Sequence, residues 1–215
     1  ISELKKLGKP IIFVNYSGSA VGLEPESKIC DAILQAWYPG QAGGTAVADV
    51  LFGDYNPSGK LPVTFYKHTD QLPDFQDYSM KGRTYRYMAE SPLYSFGHGL
   101  SYTNFTYGPA TLGKEVILTI PVQNTGNYDG EEVVQVYLSC SGDKEGPSHT
   151  LRAFKRVHIA KGQRANVSFT LDSETFQWFD TNTNTMRMVE GNYELLYGGT
   201  SRIDQLQKIS IKVIE

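Results

Sequence analysis

Three glycines, Gly40, Gly43 and Gly44, stand directly before an apolar run in AWYPGQAGGTAVADVLFGDYNPSGKLPVTF, residues 36–65. A glycine-rich turn opening a helix is the usual frame for cradling phosphate, so nucleotide binding is the first chemistry to weigh. A Walker-type loop needs Gly-Lys-Ser/Thr at the helix start, because the lysine must reach the terminal phosphates. Here Gly44 is followed by Thr45-Ala46. The G-x-G-x-x-G spacing of a dinucleotide turn is also missing. The cluster therefore reads as a tight strand-to-helix turn that lets the helix sit close to its sheet.

Ser17-Gly18-Ser19, in NYSGSA, follows a buried-strand pattern directly. Ligands dock at the C-terminal ends of parallel strands. The spacing is not that of a nucleophile elbow, which reads G-x-S-x-G. A plain turn is the first reading of this stretch, and a hydrogen-bonding loop facing a polar ligand is the second.

Sugar hydrolysis would call for paired carboxylates. Glu24, Glu26, Asp31, Asp49, Asp54, Asp70, Asp74, Asp77 and Glu90 are scattered through the first part of the chain, and no spacing singles out an acid/base pair. His68, His98, His149 and His158 have no Cys, His or carboxylate at metal-ligand spacing, so no metal and no cofactor is expected. Arg83 and Arg86 alternate with Tyr85 and Tyr87 in RTYRYM. That pattern can stack on sugars, but it first reads as cation–π anchoring of a connector. The residues themselves thus single out no catalytic group, and substrate-binding residues stay unassigned.

The elements that would position these groups change character along the chain. Residues 1–65 alternate helical and buried-strand patterns, the α/β signature. Leu4 and Leu7 give a helical face that Gly8 ends. Ile11 to Val14 suits a strand covered on both faces, and the apolar run from Asp31 to Trp37 reads as a second parallel strand. Thr45 to Phe52 has the helical period, and Gly53 closes it. Two parallel strands are only part of a sheet, so an uncovered edge or face is expected. Residues 66–109 are rich in Tyr, Pro, Gly and Asp without a sustained period, which reads as an ordered, aromatic-anchored connector. From residue 110 the period becomes two. Runs at 116–120, 133–138, 152–157, 166–171, 191–197 and 208–214 are separated by turn signals, including Asn124-Thr125-Gly126-Asn127. Six or seven short strands predict an immunoglobulin-like sandwich, although no Cys-Trp-Cys arrangement is present.

Bulk properties narrow the function classes. In 215 residues the chain is 40% hydrophobic and 20% charged, with a net charge of −3. No basic cluster exists to neutralise phosphates, which argues against a nucleic-acid partner. No apolar stretch is long enough to span a bilayer. Cys30 and Cys140 lie far apart and read as incidental thiols. The N-terminus lacks a leader pattern, a Met and an N-cap, and is expected to continue an element upstream. Asn15, Asn104 and Asn166 form Asn-x-Ser/Thr sequons, which matter only in a eukaryotic secretory host.

Three stretches together resemble one family. The run from AILQAWYPGQAGG to KLPVTF resembles the C-terminal α/β-sandwich domain of glycoside hydrolase family 3. SPLYSFGHGLSYTNFTY is similar to the segment where that family's chain leaves the sandwich. LTIPVQNTGNYDGEEVVQVYLS, LRAFKRVHIAKGQRANVSFTL and VEGNYELLYGG resemble its fibronectin type III-like domain. FVNYSGSA and DYSMKGRTYRYM look closer to the xylosidase-like branch than to the typical glucosidases.

The resemblance implies a partial α/β sandwich followed by an all-β fibronectin type III-like domain. It implies a retaining β-xylosidase or β-glucosidase acting on β-linked oligosaccharides as the full-length enzyme, in a periplasmic or secreted setting. In that family the nucleophile Asp lies on an N-terminal barrel, and the acid/base Glu lies in a loop of the sandwich domain before the helix with which this chain opens. Neither motif occurs here, and Glu24 and Glu26 follow the wrong elements to replace the Glu, so the resemblance implies no catalytic residue within this chain. The chain alone is therefore expected to be inactive, its missing barrel domain being its main partner. The competing expectation is a stand-alone carbohydrate- or protein-binding sandwich, which an exposed aromatic line on one sheet face would favour; Trp178 and Tyr193 offer little of one, since either reads equally as core.

Overall fold

The computed structural model describes residues 1–140, 142–143, 146–180 and 183–213. Its first part opens with a single helical turn, α1 (Ser2–Lys5). Strands β1 (Ile12–Asn15) and β2 (Ala32–Gln35) follow, with the short helix α2 (Glu24–Ile29) between them. The strands pair in parallel, Ile12 opposite Ala32 and Asn15 opposite Gln35, as the sequence predicts. Helix α3 (Gly43–Phe52) begins at the glycine cluster and ends at Gly53, whose φ of 86° is the left-handed conformation that a Cβ would strain. Of the three glycines only Gly43 is required by packing: a Cβ there would lie 2.4 Å from Pro39 Cβ, whereas Gly40 and Gly44 face open space.

This part has almost no core of its own. Among the described residues before β-sandwich residue Leu118, only Leu23 and Phe65 are buried apolar side chains. Leu4, Leu7 and Ile12 are at least half exposed, at 56%, 69% and 50%. Among the described residues, both edges of the β1–β2 pair are unpaired. The expected uncovered surface is present.

Residues 66–104 carry one 3₁₀ turn (Thr69–Gln71) and the single-turn helix α4 (Thr84–Tyr87). Despite lacking regular structure they are tied down at both ends: Phe65 bridges Tyr94, and Tyr85 stacks on Phe96 with centroids 4.7 Å apart.

The sandwich contains β3 (Phe105–Tyr107), β4 (Thr111–Leu112), β5 (Ile117–Asn124), β6 (Gly130–Cys140), β7 (Thr150–Ile159), β8 (Arg164–Thr170), β9 (Gln177–Asp180), β10 (Thr185–Met188), β11 (Gly191–Gly198) and β12 (Gln207–Val213). One sheet runs β12-β11-β6-β7. In the other, β5 is central, with β3 and β4 along one edge and β8 along the opposite one. All six runs read from the sequence are strands, their pairing antiparallel; Ile214, the last residue of the sixth run, lies outside the described residues. Two short strands, β3 and β4, and the β9–β10 hairpin are additions to that reading.

Alternation builds the core. Leu118, Ile120 and Val122 of β5 face Val134, Val136 and Leu138 of β6, all fully buried. Strand β6 is buried on its other face as well. Gln135 and Tyr137 point away from that core and lie beneath the connector, against Gly97 and Tyr85. The aromatic connector is therefore a cover for the outer face of the sheet, which explains how a segment without periodicity stays ordered.

Candidate functional site

The C-terminal end of the parallel pair collects polar side chains. Asn15 and Gln35 are register partners, and Asn15 Nδ2 donates to Gln35 Oε1 at 2.7 Å and to Ser17 Oγ at 2.9 Å. Ser17 Oγ donates in turn to Ser19 O at 2.9 Å, and Gln35 Nε2 donates to Ser17 Oγ at 3.2 Å. The Tyr38 ring passes 2.3 Å from where a Cβ on Gly18 would sit, so a side chain there would displace the ring from this position. Next to this cluster Trp37 has φ 54°, an outlier for a bulky residue, and its ring packs edge-on to Phe65 at 6.1 Å. Such strain gathers at functional sites. Tyr38 is 81% exposed. Amides, hydroxyls and an exposed aromatic ring can hydrogen-bond and stack on a neutral polyol. With no carboxylate and no imidazole among them, they cannot move a proton between oxygen atoms at neutral pH.

The carboxylates singled out from the sequence are dispersed. Asp31 accepts from Lys5 Nζ and Ile11 N, both at 2.9 Å, and the Ile11 amide and then Lys5 hold it below the usual carboxylate range. Glu24 pairs with Lys28, one helical turn on. Asp74 and Asp77 accept from the Gln76 and Ser79 amides, each at 2.8 Å, which makes them turn residues. Asp70 lies beside His68, and Glu90 accepts from Gln71. No two of them converge on a common cleft. Glu26, Asp49 and Asp54 make no side-chain contact that assigns them a role.

Among the histidines, His149 is buried. Its Nδ1 is 2.8 Å from Ser148 Oγ and its Nε2 donates to Ser201 O at 2.9 Å, while burial holds its pKa down. His98 stacks on Tyr94 at 5.2 Å, and His158 is an exposed residue of β7. Arg83 closes its own loop by donating to the Ser79, Asp74 and Asp77 carbonyls. Tyr85 accepts from Leu151 N at 3.0 Å through its hydroxyl, which ties the RTYRYM segment to β7. Trp178 and Tyr193 stack with centroids 6.3 Å apart, Tyr193 fully inside. Both thiols are free.

A second cluster, which the sequence did not suggest, joins the first part to the sandwich. Lys60 Nζ lies 3.3 Å from Glu132 Oε1 and donates to Gly99 O at 3.1 Å; Tyr107 Oη donates to Glu132 Oε1 at 2.9 Å. Burial raises the Glu132 carboxyl above its usual range, against the pull of Lys60 and the Tyr107 hydrogen bond. Alongside, Arg156 pairs with Glu131 and donates to Tyr55 Oη. Tyr55, Ser58, Lys60, Val133 and Arg156 line a cleft of ≈ 380 Å³ here. Asn56 links three segments: Nδ2 donates to Asp129 O at 2.8 Å, and Oδ1 accepts from Ser101 Oγ at 2.9 Å and Tyr102 N at 2.8 Å. Glu132 has the raised pKa of a general acid, but it is sealed by its ion pair with Lys60 and the hydrogen bond from Tyr107. Its work is to hold the two parts together. Its signal in the sequence was a carboxylate on the inward row of β6, in phase with Val134, Val136 and Leu138.

The chain is thus a partial parallel α/β layer and an aromatic cover followed by a fibronectin-like sandwich. Residues 1–102 match the glycosyl hydrolase family 3 C-terminal domain, and residues 132–201 match the fibronectin type III-like domain. The chain belongs to glycoside hydrolase family 3. It is 53% identical to a xylan 1,4-beta-xylosidase of Xylanibacter ruminicola across 98% of its own length and 25% of the relative's. It is 36% identical to a periplasmic beta-glucosidase of Salmonella typhimurium, across 91% of this chain and 30% of that one. The crystal structure of a beta-glucosidase from Kluyveromyces marxianus superposes with a TM-score of 0.88 at 29% identity, covering 100% of this chain and 28% of that one. The chain thus spans 25–30% of the length of these relatives.

Proposed function

We propose that this chain is the C-terminal part of a retaining, exo-acting β-xylosidase or β-glucosidase of the xylosidase-like branch, which removes terminal β-linked sugars from oligosaccharides. The supporting observation is its 53% identity, over nearly all its length, to a xylan 1,4-beta-xylosidase. The reaction is a double displacement. An Asp attacks the anomeric carbon to form a glycosyl-enzyme, while a Glu protonates the leaving oxygen and then activates water. Both residues belong to the polypeptide outside these 215 residues, so the isolated chain has no catalytic residue of its own.

In this reading residues 1–65 are the end of the α/β-sandwich domain, residues 66–109 the connector and residues 110–215 the fibronectin-like domain. The uncovered helix α1 and the two free edges of the β1–β2 pair receive the upstream remainder of the α/β domain. The Asn15, Ser17, Gln35 and Tyr38 cluster contributes a wall of the cleft, suited to a neutral sugar. The alternative of a free-standing binding sandwich gains nothing from Trp178 and Tyr193, since Tyr193 is core and Trp178 is stacked upon it.

Hydrolysis of p-nitrophenyl β-xyloside and β-glucoside tests the proposal. The expected result is turnover by the longer parent polypeptide and none by the 215-residue chain. Turnover by the chain alone would mean that one of its own carboxylates is catalytic, and a parent inactive on both substrates would remove the assignment.

A further inference from the structure

The outer face of the β12-β11-β6-β7 sheet is covered only in part. The connector lies over Gln135 and Tyr137 of β6, while the outward row of the edge strand β7 stays open. Phe154 and Arg156 stand two residues apart in that row, opposite Gln135 and Val133, and so project to the same side of the sheet. Both are exposed, Phe154 to 68%. Arg156 and Val133 form one wall of the ≈ 380 Å³ cleft at the seam. Val50, Tyr55 and Pro57, from α3 and the loop behind it, form the other. Two exposed aromatic rings, Tyr55 in the cleft and Phe154 beside it, therefore flank one accessible arginine.

The chemistry of the cleft selects its occupant. Arg156 pairs with Glu131 and Lys60 with Glu132, so each cation already has its own carboxylate and an anion meets no unmatched charge. Tyr55 Oη donates to Glu131 Oε2 at 3.3 Å and accepts from Arg156 Nη2 at 2.6 Å, which fixes the guanidinium against the tyrosine. Arg156 Nε and Nη1 make no hydrogen bond among the described residues, so an oriented arginine keeps open donors at the cleft. Apolar walls with a few fixed polar groups are the usual build of a small-molecule site, and this volume is at the small end of the usual range.

We propose that this cleft, with the Phe154 ring beside it, binds a neutral oligosaccharide. A sugar ring is apolar on its C–H face and carries hydroxyls at its edge. The face fits Val133, Pro57 and Tyr55, and the hydroxyl oxygens accept from Arg156. A chain of several units brings a further ring onto Phe154. The proposal concerns binding by this chain alone and is independent of the hydrolytic reading.

The test titrates the ¹⁵N-labelled 215-residue chain with xylotetraose and with cellotetraose and follows the backbone amide resonances. Saturable shifts at Tyr55, Gly59, Val133 and Arg156 are expected with at least one of the two, and excess sodium phosphate at constant ionic strength should not displace the sugar. Phe154→Ala and Arg156→Gln should each weaken binding about tenfold, the order of one aromatic contact or one charge-assisted hydrogen bond. Both side chains are exposed, so neither substitution touches the core. Absence of saturable shifts with both sugars would overturn the proposal, as would undiminished binding in both variants. Displacement by phosphate would make the cleft an anion site instead. Shifts centred on Asn15 and Gln35 would place the sugar at the end of the parallel strands, which also overturns binding at the seam.

Discussion

Lys60 and Glu132 meet across the seam between the two parts of the chain, their charged atoms 3.3 Å apart and their side chains only 14% and 6% exposed. One comes from the loop after α3 and the other from the inward row of β6. The carboxylate is buried deeply enough that its acidity is weakened in spite of the ammonium beside it. A buried pair of this kind adds little net stability over an apolar pair, but removing one member strands the other.

Lys60→Met is therefore expected to cost about 3 kcal/mol in urea unfolding, whereas Lys60→Met with Glu132→Gln should recover most of it, because the Gln oxygen still accepts from Tyr107. The pH dependence carries the same signature. The folded pKa of Glu132 lies above its unfolded value near 4.5, so the folded state holds the proton more tightly and stability falls as pH rises through that window. Lys60→Met should steepen and extend that fall, and Glu132→Gln should remove it. Equal slopes in all three proteins would show that the pair is solvated.

His149 acts in the opposite sense. With Nε2 donating to Ser201 O, and Nδ1 accepting from Ser148 Oγ, the native ring is neutral, and burial keeps its pKa below 6.5. Its contribution is complete above pH 6.5 and is lost as pH falls from there through the folded value. His98 is lowered as well, by burial first and then by Lys60 and Arg202, so it adds to the same slope. His149→Gln should reduce the rise in stability between mildly acidic and neutral pH, measured by thermal unfolding in matched buffers. An unchanged slope would place the titration elsewhere.

What the sequence showed and what it hid follow from range. Strands β5, β6, β8, β11 and β12 were legible because one face is core and the apolar residues therefore alternate. The β9–β10 hairpin was not, since every residue of Thr185–Met188 is exposed and no apolar period marks it. Strands β3 and β4, three and two residues long, are recognised only by their pairing with β5. The Ser17 loop was visible as a candidate, yet Gln35, which completes its hydrogen bonds, reads locally as an ordinary strand residue. Lys60 and Glu132 are 72 positions apart, and nothing in either local stretch requires the other.

The turn signal Asn124-Thr125-Gly126-Asn127 conceals a stronger constraint. Asn124 is wholly buried and fully satisfied: Oδ1 accepts from Thr103 Oγ1 at 2.6 Å and Gly126 N at 3.1 Å, while Nδ2 donates to Tyr128 O at 2.8 Å and Ile159 O at 2.9 Å. Asn124→Ala leaves these partners open in a dry site and should cost about 3 kcal/mol. Asn124→Asp is expected to be comparably costly near neutral pH, since a carboxylate cannot donate to two carbonyls. A loss below ~1 kcal/mol in both would mean that water replaces the side chain.

The glycine cluster yields a prediction that separates its members. A phosphate cradle would need all three positions open, because the ligand approaches the backbone itself. Close packing needs only the one that faces a neighbour. A Cβ on Gly43 would lie 2.4 Å from Pro39 Cβ and 2.7 Å from its Cγ, so Gly43→Ala must push the start of α3 away from the preceding turn. Roughly 1–3 kcal/mol of stability should be lost, as for other overpacked sites. Gly44 lies within the first turn of α3 with nothing near a Cβ, so Gly44→Ala should be neutral or stabilise by up to ~1 kcal/mol through helix propensity. Urea unfolding of the two variants decides the matter: the opposite signs establish a packing turn, and equal losses would mean that the backbone at Gly44 is also required.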